Sequence, residues 1–405
     1  MNRISKWIAT GVGIAGASYA AYVAAAWMRY GRARPARGAA RDPLLDSFMP
    51  RYDVCERHAI DLATPAEVTL AAAKTLDLNR SPLVRAIFKG RELILRSRPD
   101  SMDRPEGLLE LTKSLGWGVL ADTPGEIVMG AVTKPWEPNP VFRPIPSADF
   151  AAFAEPGLVK IVWTLRADPA EDGSSTFRTE TRAVATDAES RRKFRWYWSL
   201  LSPGIIVIRM ALRGALPAAA DRAWRLNGDD FLPDAQAQLT QGVTIEAPAV
   251  DVWPWLVQMG CRRAGWYSWD RLDNASKPSA DHIIPELQHL VVGDVLPWSP
   301  EGAQGFKVLR IEPERVLLLQ SVAPQFEGTW AFVLEPLAGG RTRLVARYRA
   351  AYPPSLQMAV KLQLIAPVHA FMELKQLRTI KHHAERMHAP ESRPSGTTAR
   401  AGVKA

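Results

Sequence analysis

Asp270, Asp281, His282, Glu286 and Asp294 crowd one short region in the second half of the chain. A carboxylate beside an imidazole can orient the ring and let it act as a general base, the group needed to polarise an aromatic substrate. Asp281, His282 and Asp270 are therefore the candidate catalytic residues. The stretch ADHIIPELQHLVVGD also reads more simply as a loop and short helix, with Asp281 as its cap and His282 in solvent or bonded to backbone. No nucleophile elbow of the GxSxG kind accompanies these residues. The seven histidines form no HExxH and there is no CxxC. His382 and His383 are neighbours, so on a helix they diverge by about 100°. No metal site and no cofactor is expected.

Aromatic residues carry more information. Trp253, Trp255, Trp266, Tyr267, Trp269, Trp298 and Trp330 all lie in the second half, and most such rings simply fill a core. Gly265 and Asp270 flank Trp266-Tyr267-Ser268-Trp269 as a loop or strand edge would. Trp266, Tyr267 and Trp269 are thus candidates for the mouth of a ligand cavity, with Trp330 as a wall and Arg347 as a weaker partner for an anionic group.

Elements that would position these residues occur twice. HAIDLATPAEVTLAAA (58–73) and GVTIEAPAVDVWPWLVQMG (242–260) each alternate apolar and polar residues, then pass through a proline into an Ala-rich or Trp-rich run. That pattern is a half-buried strand followed by a helix start. VKIVWTLRADPAEDGSSTFRTETRAVATD (159–187) and GTWAFVLEPLAGGRTRLVARYRA (328–350) each place a Trp in one strand of a hairpin, Trp163 and Trp330. In the first return strand Phe177, Thr179, Thr181 and Ala183 share one face. Arg178, Glu180 and Arg182 share the other, which is expected to be solvated. SPGIIVIRMALRGAL (202–216) and APVHAFMELKQLRTIKHHAERM (366–387) close the two halves as helices. In the latter Ala370, Leu374, Leu377, Ile380, Ala384 and Met387 make the apolar stripe, and Lys375, Arg378, Lys381, His382 and Arg386 a basic outer surface. RRKFRWYW (191–198) reads either as a core helix preceding the terminal one or as a patch that seeks anionic lipid.

The 405 residues are 47% hydrophobic and 23% charged, a folded composition too long for one ordinary core. A net charge of +9 suits anionic surfaces such as lipid head groups. Nucleic acid is not expected, since no finger, P-loop, RNP-like or helix-turn-helix signature is present. Cys55 and Cys261 fall in different halves and are expected as two unpaired thiols. From Trp7 to Met28 no residue is charged, and a helix of that length would extend roughly 33 Å. It reads as a transmembrane anchor, with a cleaved signal peptide as the rival. Arg29, Arg32, Arg34, Arg37 and Arg41 then put the bulk of the chain on the cytoplasmic side.

With these elements in place the chain resembles the START-like helix-grip superfamily, also called SRPBCC or polyketide cyclase/dehydrase-like. The resemblance rests on VTIEAPAVDVWPWLVQMG, TWAFVLEPLAGGRTRLVARYRA, the long last helix, and GWYSWDRLDN with SADHIIPELQHLVVGDVLPW. It implies an α+β protein of two tandem helix-grip domains behind a transmembrane helix. The expected divisions are an anchor over 1–30, a linker over 31–47, a first domain over 48–216, a linker over 217–237, a second domain over 238–390 and a disordered tail over 391–405. The implied function is binding or transfer of a hydrophobic, lipid-like or aromatic small molecule without catalysis. The alternatives are a cyclase or dehydratase acting on a polyketide-like or aromatic substrate, and a structural membrane-associated module with closed cavities.

Overall fold

The computed structural model describes residues 17–77, 85, 89, 106–299, 304–322, 327–352 and 356–389. The chain divides into two compact units, Met1–Trp224 and Arg225–Ala405. The boundary falls inside the stretch expected to be a linker.

The first unit begins with helix α1 (17–29) and α2 (Pro43–Phe48), followed by β1 (Val54–Leu62) and α3 (Ala66–Thr75). α4 (Leu108–Ser114), β2 (Gly118–Asp122), β3 (Glu126–Thr133), α5 (Ser147–Phe150), β4 (Val159–Pro169) and β5 (Ser175–Ala185) come next, and α6 (Ala188–Ala223) ends it. The second unit contains β6 (Ala237–Ile245), α7 (Ala249–Val257), α8 (Asp270–Asp273), β7 (Val295–Pro297), β8 (Gly305–Glu312), β9 (Val316–Val322), β10 (Glu327–Leu337), β11 (Arg341–Ala351) and α9 (Leu356–His388). Pro65 and Pro248 are the N-caps of α3 and α7, so the two strand-to-helix junctions read from the sequence are real.

Both sheets are antiparallel throughout. Their strand orders are β1-β5-β4-β3-β2 and β6-β11-β10-β9-β8-β7, so in each unit the last strand pairs with the first. One face of each sheet holds the terminal helix. Leu212, Leu216 and Ala220 of α6 pack with Ile127, Met129, Trp163, Leu165 and Phe177. Leu377, Ile380 and Ala384 of α9 pack with Leu317, Leu319, Trp330, Phe332, Leu344 and Ala346. Each unit is a helix-grip domain.

The opposite face of the first sheet is largely covered, contrary to the expectation for Glu180 and Arg182, while Arg178 stays half-buried. Arg182 is 1% exposed and Glu180 5% exposed. The reason is α2 and the residues after it, which lie across the strands and bury Leu45 and Met49 against Val128 and Val162. Arg182 anchors this strap: Nη1 donates to Asp46 Oδ1 and to the Met49 carbonyl, each at 2.8 Å, and Nε donates to Glu180 Oε1 at 2.6 Å. In the second unit Arg349 does the same. Its Nη1 lies 3.1 Å from Asp229 Oδ1, and its Nη2 donates to the Leu232 carbonyl at 3.0 Å. The straps share the pattern Asp-x-Phe-Met/Leu-Pro, at Asp46–Pro50 and Asp229–Pro233, each three residues short of its first strand. The repeat thus starts earlier than 58 and 242, and includes the cover of the outer face.

RRKFRWYW and SPGIIVIRMALRGAL are one continuous helix, α6, running through Pro203 and Pro217. A proline removes a single intrahelical bond, while the buried row Phe194, Trp198, Leu212 and Leu216 continues on both sides of Pro203. Phe194 and Trp198 are core residues, whereas Trp196 is 56% exposed. α1 lies against this helix. Tyr19 Oη donates to the Leu200 carbonyl at 2.5 Å, Tyr22 bonds Ser202 at 2.9 Å, and the Trp27 and Trp196 rings lie 4.7 Å apart. Among the described residues no helix is long and apolar enough to cross a membrane. The first part of the proposed anchor, 7–16, and the tail 391–405 lie outside the described residues. Cys55 and Cys261 are both free.

Candidate functional site

α9 presents three polar side chains to its own sheet. His369, Glu373 and Gln376 are spaced by four and three residues, so they share a face with Leu377, Ile380 and Ala384. The strand partners that meet them come from the central hairpin, where Trp330 of β10 pairs directly with Tyr348 of β11.

Glu373 is 2% exposed. Trp330 Nε1 donates to its Oε1 at 2.8 Å, while Oε2 is buried without a partner among the described residues. The His369 ring sits edge-on to both Trp330 and Tyr348, with centroids at 5.5 and 4.8 Å, and its Nε2 is buried without a partner. Gln376 Nε2 reaches Met259 Sδ at 3.5 Å, and Oε1 is unpartnered. Trp266 stacks on Trp330 at 5.7 Å with 23° between planes, and its Nε1 is also unpartnered. Phe306 closes the aromatic cluster at 5.2 Å from Trp330.

Burial controls the protonation of this group. Removing a carboxylate from water raises its pKa, and Glu373 is pushed up to about 8, with the Trp330 donor opposing the shift. Burial also lowers the pKa of His369. At neutral pH the site therefore holds a protonated carboxyl and a neutral imidazole, both against one indole. Such a site offers hydrogen bonds of both senses beside aromatic rings, with a proton donor and a proton acceptor that both meet Trp330. In the first unit the described residues one turn before Leu212 on the closing helix, Ile208 and Ala211, are apolar and pack on the core.

The residues singled out from the sequence are distributed differently from that expectation. Trp266 and Trp330 do meet, at the centre of this cluster. Tyr267 is buried, with φ +57°, but Gln258 Nε2 donates to its hydroxyl at 2.6 Å and its ring packs edge-on to Trp255. Trp269 is at the surface. Arg347 lies on the outer sheet face, not in the grip, because successive strand residues alternate sides. It is spent on Asp229 at 2.7 Å and Thr240 at 2.8 Å. Asp281 and His282 form a 3.0 Å pair with side chains 80% and 72% exposed, and Asp270 accepts from Ser279 Oγ at 2.6 Å. That is the loop arrangement, and it gives the imidazole no buried setting for acid–base work.

His369, Glu373 and Gln376 were missed because the helix was read from its apolar stripe alone. That stripe is also rotated from the expected one: Met387 is 43% exposed, and Leu374 only half-buried. A carboxylate and a histidine continuing the line of Leu377, Ile380 and Ala384 were the available signal. Among the described residues no cluster of His, Cys, Asp and Glu has the arrangement of a metal site. Two cavities, of about 350 and 160 Å³, lie in the first unit. Their charged linings are ion-paired: Lys193 with Glu189, Arg57 with Glu180, Arg166 and Arg178 with Asp168.

No protein-family model matches the chain, and no curated protein matches it. Among solved structures, the chain is similar to the di-domain ARO/CYC StfQ from the steffimycin biosynthetic pathway. The identity is 10%, over 82% of this chain and 99% of that one, with a TM-score of 0.25. The di-domain ARO/CYC BexL from the BE-7585A biosynthetic pathway is 13% identical over 84% of this chain and all of that one, with a TM-score of 0.23. The Zhui aromatase/cyclase from Streptomyces sp. R1128 is 16% identical over 37% of this chain and 94% of that one, with a TM-score of 0.25. At such identities and scores these likenesses carry no weight for ligand or reaction.

Proposed function

We propose that the second domain binds a compact, mostly apolar small molecule, aromatic or lipid-like, between its sheet and α9. The observation that supports this reading most directly is Glu373, a buried carboxyl with one oxygen bonded to Trp330 and the other without a partner among the described residues. An unsatisfied buried polar atom costs on the order of 1–3 kcal/mol, and three more stand beside it on His369, Gln376 and Trp266. A ligand with a hydroxyl or carbonyl satisfies them, while its apolar body gains about 25 cal/mol per Å² removed from water. We propose further that the N-terminal uncharged run, of which 17–29 packs on α6, holds the chain at a membrane with its bulk on the cytoplasmic side; a tether of this kind raises the local concentration near the bilayer.

The test is native mass spectrometry of the purified full chain, with Trp330→Ala and Glu373→Leu variants alongside. A small molecule carried by the wild type and lost from both variants is the expected result. Its retention in both would sink the reading. A second reading has its own support. Protonated Glu373 and neutral His369 on one indole make an acid and a base, as a cyclase or dehydratase requires. Turnover of the co-purified molecule, abolished in Glu373→Gln while binding persists, would favour the enzyme.

A further inference from the structure

We infer that the second domain seats itself on an anionic lipid surface through the back of the helical turn that carries His369 and Glu373. Val368 and Phe371 project from that turn and are 54% and 61% exposed. Phe371 stacks on Trp269 at 5.5 Å with only 14° between the rings, yet Trp269 remains 42% exposed. Leu272, one turn of α8 further on, is 71% exposed. Among the described residues, these four large apolar side chains on α9 and beside or on α8 are left exposed.

The loop is built to hold them outward. Ser268 Oγ donates to the Met372 carbonyl at 3.0 Å and fastens the loop to α9. Tyr267, Ala275 and Ser276 have φ of +57°, +51° and +62°, a left-handed backbone on both sides of residues 268–274. Such conformations cost non-glycine residues energy, so the surrounding bonds must enforce them. One of these is from Ser279 Oγ to Asp270 Oδ1, at 2.6 Å.

The charge around the patch selects the partner. Arg271, Lys277, Lys375 and Arg378 are all exposed. The acids of the same loop are turned away: Asp270 onto Ser279, and Asp273 into a half-buried position where burial raises its pKa. Exposed Trp and Phe within a ring of Lys and Arg match the interface of an anionic bilayer, where aromatic rings settle at head-group depth and each nearby basic residue contributes roughly 1 kcal/mol. This surface is distinct from the N-terminal run, and it does not depend on the ligand reading above.

Hydrogen exchange of the full chain, with vesicles of phosphatidylcholine alone or mixed with phosphatidylglycerol, tests the inference at the surface itself. Amides over 268–276 are expected to exchange at least about threefold more slowly on the mixed vesicles. That protection is expected to vanish in the Trp269→Ser/Phe371→Ser double variant and to weaken in Arg271→Glu/Lys375→Glu. A tether elsewhere in the chain leaves these amides unchanged, so vesicle-bound protein without local protection overturns the proposal. Equal protection on phosphatidylcholine alone overturns the role of the basic rim. Protection that grows with protein concentration without vesicles assigns the patch to a second copy of the chain instead.

Discussion

Trp330 holds Glu373 by a single 2.8 Å hydrogen bond from its indole nitrogen, and that bond joins the central strand of the second sheet to the helix it grips. The bond stabilises the ionised carboxylate, whereas burial favours the neutral acid, and burial dominates.

The first prediction follows from that imbalance. The folded-state pKa of about 8 exceeds the ordinary 4.5, so the folded domain holds a proton that the unfolded chain releases. The Glu373 contribution to stability is therefore full below about 4.5 and is lost as pH rises through about 8, by on the order of 5 kcal/mol in all. Glu373→Gln removes this slope. Chemical denaturation of the full chain at about pH 5 and about pH 8 should show the variant gaining on the wild type at the higher pH. His369, with its lowered pKa, leaves both proteins weaker on the acid side, because there the unfolded imidazole takes up a proton first. A wild-type alkaline slope that survives the substitution counts against the assignment.

Trp330→Phe keeps the ring and removes the donor. Both carboxyl oxygens then lack a partner, at a cost of about 1–2 kcal/mol where the acid is neutral and more where it ionises. The Glu373 pKa should climb further, because the group that favoured its charged form has gone. Infrared spectroscopy of the protonated carboxyl stretch across pH reads this directly. An unshifted titration would mean that the bond does not form in solution.

Much of the fold was legible because it rests on local periodicity: two strand-proline-helix openings, two hairpins with a Trp in the leading strand, and two closing helices. The outer cover was not, because alternation cannot distinguish a charged face in water from one roofed by another segment. Arg182 and Glu180 read as solvated until the Asp46–Pro50 strap is seen above them. The partner of Arg347 was hidden for the same reason, since Asp229 lies over a hundred residues earlier in the sequence. Glu373 was obscured by its apolar neighbours on α9. Trp266, read as a residue of a cavity mouth, and Trp330, read as a wall, stack on each other inside the second core.

The duplicated strap makes a paired prediction. Arg349→Ala leaves Asp229, 6% exposed, with one arginine instead of two, and frees the Leu232 and Pro233 carbonyls. Arg182→Ala takes from Asp46 one of its two arginines, frees the Met49 carbonyl and leaves the buried Glu180 with Arg57 alone. Breaking a buried pair from one side costs about 3–5 kcal/mol, so each variant should destabilise its own domain by that order. A double-mutant cycle of Arg349→Ala with Asp229→Ala should show strong coupling. Additive effects would show that the strap is held by its apolar residues alone.

Two glycines with similar backbone but different surroundings separate strain from crowding. Gly265 (φ +85°) leads into Trp266, and a Cβ there would meet Asn274 Nδ2 at 2.8 Å and collide with the Ser279 side chain that holds Asp270. Gly339 (φ +77°) closes the β10–β11 turn with nothing within 4 Å of such a Cβ. Gly339→Ala should therefore cost only the left-handed penalty, about 1–2 kcal/mol. Gly265→Ala should cost that plus about 1–3 kcal/mol for overpacking. It should also displace Trp266 from its stack on Trp330, seen as a change in near-ultraviolet circular dichroism that Gly339→Ala lacks. Equal destabilisation with unaltered aromatic spectra would show that the loop yields freely, and that the bonds around Asp270 do not fix where Trp266 sits.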